Sequence, residues 1–91
     1  MNSSYQWNII QYLKKGFWIQ ETHDLSSMEV DRSVTNGEDD VMAVKETTIK
    51  SLLRKGVIEE RGSWSPCLQI DITRFFLKNI SHHVRAENLA D

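Results

Sequence analysis

One cysteine, one proline and four glycines are spread over 91 residues, and the formal net charge is only −2. With Cys67 alone, no internal disulfide can form, which suits a reducing compartment. No glycine-rich phosphate loop follows a strand-like run. No apolar run approaches the roughly 20 residues that cross a bilayer, and no basic-then-apolar leader opens the chain. The expectation is therefore a cytoplasmic protein without a membrane partner. The slight acidic balance argues against a generic polyanion binder, which carries a basic excess. Zinc-site spacing is missing as well. His82 and His83 are adjacent, so they would point to different sides of a helix, and His23 is remote in sequence. Cys67 has no helix N-terminus to activate it, and no Ser/His/Asp constellation emerges from spacing. The expectation is a non-enzymatic protein with no metal and no cofactor.

What is present is ordinary globular material, 40% hydrophobic and 26% charged, and its length suits one domain over residues 1–91. A chain this short buries a limited fraction of its surface, so a homodimer or another partner is expected. Charges are segregated. Acids gather at Glu38, Asp39, Asp40 and at Glu59, Glu60; bases gather at Lys14, Lys15, over 45–55 and over 74–78. A local positive face is compatible with the acidic total.

Ser3 and Gln6 form a capping box, and Tyr5, Ile9, Tyr12 and Leu13 recur at helical spacing up to Gly16. Lys14 and Lys15 suit the negative end of that helix better than they suit a phosphate. A hairpin follows, with strands over 17–23 and 28–34. Phe17 and Ile19 share one face, and Trp18 and Gln20 the other. Part of 26–36 is alternatively a loop. Asn36-Gly37 signals a turn.

The central stretch then reads as a helix over 41–55. Asp39 and Asp40 cap it and Gly56 ends it. Met42, Ile49, Leu52 and Leu53 fall on one side. Thr47, Lys50, Ser51 and Arg54 fall opposite, with Lys55 on the flank. A strand over 57–60, a turn over 61–66 and a strand over 67–73 follow, with Leu68, Ile70 and Ile72 alternating with polar residues. Thr73 caps a last helix with an apolar stripe of Leu77, Ile80 and Val84, joined by Phe76. Residues 86–91 are expected to fray.

The run from Leu52 to Ile58, Leu-Leu-Arg-Lys-Gly-Val-Ile, resembles the end of the recognition helix and the first wing strand of winged-helix regulators. Ile70-Asp71-Ile72-Thr73, with Leu77 beyond, is similar to their returning strand and following helix. More narrowly, the order of elements resembles short bacterial winged-helix proteins classed as toxins. The chain departs from that pattern in its longer wing turn and in Phe76, where many relatives carry glycine. The resemblance implies an α+β fold with a winged-helix core: helix, β-hairpin, recognition-like helix, two-stranded wing, C-terminal helix. It implies a DNA-binding transcriptional regulator, or a toxin-like one.

In that reading Thr47, Lys50, Ser51, Arg54 and Lys55 face the major groove, and Arg61 on the wing reaches a phosphate. The bland alternative is a solvated helix face. A second reading is a protein-interaction module, such as a phage- or plasmid-encoded inhibitor. Trp7, Trp18 and Trp64 are many tryptophans for this length, and Trp64, in a turn, is the candidate anchor. Trp7 and Trp18 fit better as core residues, whereas Trp64 suits an interface and a fold-back contact equally.

Overall fold

The computed structural model describes residues 3–78. The elements run α1 (Ser3–Lys14), β1 (Trp18–Asp24), β2 (Glu29–Thr35), β3 (Asp40–Ala43), α2 (Glu46–Arg54), β4 (Ile58–Cys67) and β5 (Ile70–Leu77). The strands form one antiparallel sheet in the order β3-β2-β1-β5-β4. This is an α+β fold, but it is not a winged helix.

Both helices stop as the sequence indicates. Gly16 and Gly56 sit at φ +103° and +75°, a region that costs a side-chain-bearing residue energy. At the first, the Gly16 N–H donates to the Leu13 carbonyl and the Phe17 N–H to that of Tyr12. At the second, Gly56 donates to Leu53 and Val57 to Leu52. Each pair satisfies carbonyls that the helix end would otherwise leave open.

The central helix is shorter than its periodicity suggests. Residues 40–43 form β3, with Val34 opposite Met42 and Ser33 opposite Ala43. The cause lies just upstream. The Asn36 carboxamide oxygen accepts the N–H groups of Glu38 and Asp39, and Gly37 takes φ +97°, so the chain reverses onto β2. Asp39 and Asp40 therefore do not cap α2. Its N-cap position is Lys45, which makes no side-chain cap. The Tyr5 hydroxyl from α1 accepts the Lys45 N–H at 3.2 Å and donates to the Ala43 carbonyl at 3.1 Å, which fixes the entry to α2.

The expected wing is also different. Residues 61–66 are not a turn: they continue β4, with register shifts between Glu60 and Ser63 and between Trp64 and Cys67. The chain reverses at Leu68 and Gln69, so Leu68 is 96% exposed and not strand core. Thr73 caps no helix, because β5 runs through it to Leu77. Ile19 lies opposite Phe75, which makes β5 an inner strand of the sheet. The helical stripe expected at Ile80 and Val84 lies outside the described residues, as do His82 and His83.

Ile9, Ile10 and Leu13 of α1, and Ile49 and Leu52 of α2, share one core with Ile19, Val34, Ile58 and Phe75 of the sheet. Each buried aliphatic side chain contributes about 1.5–3 kcal/mol of burial free energy. An ion-pair chain fastens α2 to the same face. Arg32 meets Glu21 at 2.8 Å and Glu46 at 3.8 Å, and Glu46 meets Lys50 at 3.2 Å. This accounts for Arg32 within an otherwise apolar strand face. Both helices thus cover the Ile19/Phe75 side of the sheet. No helix among the described residues is long and apolar enough to cross a membrane.

Candidate functional site

Cross-strand neighbours in register project to the same face of a sheet. Ile19 and Phe75 point toward the helices, so Trp18, Gln20, Arg74 and Phe76 point away from them. Trp64, opposite Ile72, joins this second face, which no helix among the described residues covers.

The face carries an ordered stack. The Arg74 guanidinium carbon lies 4.8 Å from the Trp18 ring centroid and 4.5 Å from that of Trp64. Trp18 also meets Phe76, ring centroids 5.6 Å apart, and Arg61 lies 5.7 Å over Phe76. Gln20 organises the group. Its carboxamide oxygen accepts both the Trp18 indole N–H at 3.2 Å and the Arg74 Nε–H at 3.1 Å. Trp64 remains 40% exposed, while Trp18, Arg74 and Phe76 are half-buried. Arginine stacks well on indole because its guanidinium is planar and weakly hydrated. Among the described residues no carboxylate lies within ion-pair distance of Arg74, whereas Arg61 is paired with Glu59 at 2.5 Å.

The rest of the face has the opposite charge. Thr22 lies opposite Asp31, and Asp24 opposite Glu29, which places three acids at the far corner of β1 and β2. The Asp24 carboxyl is held below its ordinary value of 3.8, first by the hydrogen bond from the Ser26 hydroxyl, then by the backbone N–H groups of Ser26 and Ser27. The face therefore runs from an aromatic region on β4 and β5, where Arg61 is offset by Glu59 and Arg74 supplies the unpaired positive charge, to an acidic corner on β1 and β2.

The predicted DNA-reading residues are distributed differently. Thr47, Lys50, Arg54 and Lys55 are exposed on or just after α2, and Ser51 is half-buried. Lys50 is engaged by Glu46, and the Lys55 ammonium donates to the Gln6 carboxamide at 3.2 Å. Arg61 lies over Phe76, across the sheet from α2. The helix and Arg61 thus do not form one surface. Trp7 is 51% exposed on α1 and so is not the core residue expected of it; the Lys14 ammonium lies 5.7 Å from its ring centroid, and Lys15 lies over Tyr12. Cys67 is an exposed free thiol. No group of three or more metal-ligating side chains converges among the described residues.

Sequence reasoning singled out Trp64 and Arg61 but missed Arg74 and Phe76, because a helix reading of residues 73–80 concealed their alternation with Phe75. The signal was the period of two over Ile70, Ile72, Arg74 and Phe76. No family model, curated protein or solved structure matches the chain. What defines the described residues is their architecture: two helices on one side of a five-stranded antiparallel sheet, and an aromatic–arginine stack on the other.

Proposed function

We propose that this chain is a small non-enzymatic binding module that recognises a protein partner through the face of its sheet opposite α1 and α2. The observation that carries this reading is Arg74, stacked between Trp18 and Trp64 and without a carboxylate partner among the described residues. Tryptophan and arginine are enriched in binding hot spots, where they fill desolvated pockets at the centre of an interface. Here the Gln20 hydrogen bonds hold the stack in place before any partner arrives, which lowers the ordering cost on binding. Asp24, Glu29 and Asp31 on the same face disfavour a polyanion there.

Partner capture by three baits tests the assignment: the unaltered chain, a Trp64→Ala/Arg74→Ala variant and a Lys50→Ala/Arg54→Ala variant. A protein retained by the first and third and lost by the second supports the sheet face. Loss only with the α2 variant overturns it.

Duplex DNA bound through α2 is the second reading, favoured by the exposure of Thr47, Lys50, Arg54 and Lys55 along one short segment. Fluorescence anisotropy on random duplex across a salt series tests it. Phosphate contacts release counterions, so affinity must fall steeply as salt rises and disappear in Lys50→Glu/Arg54→Glu. Flat or absent binding at low salt overturns this second reading.

A further inference from the structure

We infer that the occupant of the sheet face opposite α1 and α2 is a second copy of this chain, packed face to face about a twofold axis that lies between the two sheets and parallel to them. The inference rests on the reading of that face as a binding surface, and adds the identity of the partner. Its basis is self-complementarity. Arg74 lies on β5 without a carboxylate partner among the described residues, beside the Arg61–Glu59 pair of β4, and Asp24, Glu29 and Asp31 lie at the β1/β2 corner of the same face. An axis parallel to the sheet and perpendicular to the line joining these two regions turns one copy over, so that the acidic corner of each meets Arg74 of the other. Every such contact then occurs twice, as an isologous interface requires.

The dimensions agree. Five strands with a spacing of about 4.8 Å, each about seven residues long at about 3.3 Å per residue, give a flat area of roughly 500 Å². Two such faces amount to about 1,000 Å², the lower bound for a specific interface, and side-chain relief adds to it. Stacked sheets sit about 10 Å apart, a gap that the ring of Trp64 can help to fill. The product would be four layers: helices, sheet, sheet, helices.

Pairing through strand edges is the competing route, and the edges are blunted. β4 carries Pro66, two register shifts and the charged run Glu59, Glu60, Arg61. β3, at the other edge, has only four residues.

The test is sedimentation velocity over a concentration series with the full chain. A concentration-dependent monomer–dimer equilibrium is expected, and it should weaken as salt rises. Arg74→Glu alone and Asp31→Arg alone should each weaken dimerisation at least tenfold. An equimolar mixture should regain the association of the unaltered chain, because each reversed site in one copy then meets an opposite charge in the other. Far-UV circular dichroism checks folding. If Arg74→Glu is unfolded, Asp31→Arg at its exposed strand position decides by itself, through the same tenfold loss.

A single monomer mass at every concentration overturns the second copy as partner. So does a dimer that both reversals leave intact. The broader reading fails separately, if the Trp64→Ala/Arg74→Ala bait retains all proteins captured by the unaltered chain.

Discussion

The Arg74 guanidinium stacks 4.5 Å from the centroid of the Trp64 ring and ties the middle of β5 to the edge strand β4. The contact spans the segment where the β4–β5 ladder is disturbed, between the register shifts at Glu60/Ser63 and at Trp64/Cys67. Side-chain stacking thus joins β4 and β5 where the backbone ladder is interrupted. The same guanidinium reaches Trp18 on β1, so one side chain links three adjacent strands.

Arg74→Lys should therefore lower stability even though the charge is conserved. An ammonium cannot lie flat between two rings, and it lacks the Nε–H that Gln20 accepts. The expected loss is about 1 kcal/mol, the scale of one cation–π contact at a partly exposed site. For a domain of this size that corresponds to a melting temperature lower by about 4–8 °C. Thermal denaturation followed by circular dichroism checks it. An unchanged or higher midpoint would show that the stack is energetically idle.

Gly37 and Gly56 make a controlled pair. Both have positive φ, +97° and +75°, but only at Gly37 would an added Cβ touch a neighbour, the Trp18 ring edge at 3.4 Å. Gly56→Ala should cost about 1 kcal/mol from backbone conformation alone and leave tryptophan emission unchanged. Gly37→Ala should cost a similar amount and also shift the emission, because the new methyl group packs against the edge of the Trp18 indole. Equal spectra for the two variants would contradict the Gly37–Trp18 contact.

The Asp24 turn makes a pH prediction. Hydrogen bonds to the carboxylate lower its folded-state value, so the folded chain favours the ionised form more than the unfolded chain does. The stabilisation is fully present above the ordinary value of 3.8 and is lost as pH falls through the lower folded value. Asp24→Asn retains an acceptor oxygen and removes the titration. The stability difference between the unaltered chain and this variant should be constant from neutrality to about pH 5 and shrink below about pH 4. Urea unfolding at several pH values measures it. A difference that grows on acidification would reverse the assigned sign.

Much of the local structure was legible in residue order. The helix ending at Gly16, the stop at Gly56, the first hairpin and the Asn36-Gly37 reversal follow from capping, glycine and alternation signals within a few residues. The failures share a different cause. Met42 lies seven residues before Ile49, so it falls on the helical apolar stripe, yet it also suits a strand residue opposite Val34. Local pattern cannot choose between these; the presence of β2 can. Likewise Thr73 followed by Leu77 imitates a capped helix, whereas Phe75 pairs with Ile19, fifty-odd residues earlier in the chain. The candidate site suffered most, since Arg74 and Phe76 become neighbours of Trp18 only after that pairing. Arg61, placed on a wing beside the helix, instead lies across the sheet from it.

The sequence by itself determined where the chain turns and stops, because those choices depend on the φ preference of glycine and on side chains within reach of their own backbone. It also settled that no internal disulfide can form and that the formal charge is slightly acidic. Only the tertiary structure decided that 40–43 and 73–77 are strands and that Trp18, Arg74 and Trp64 meet. The physical reason is that a strand is completed by hydrogen bonds to a distant partner, while a helix closes its bonds within itself. A face built across three strands therefore has no expression in any short window of residues.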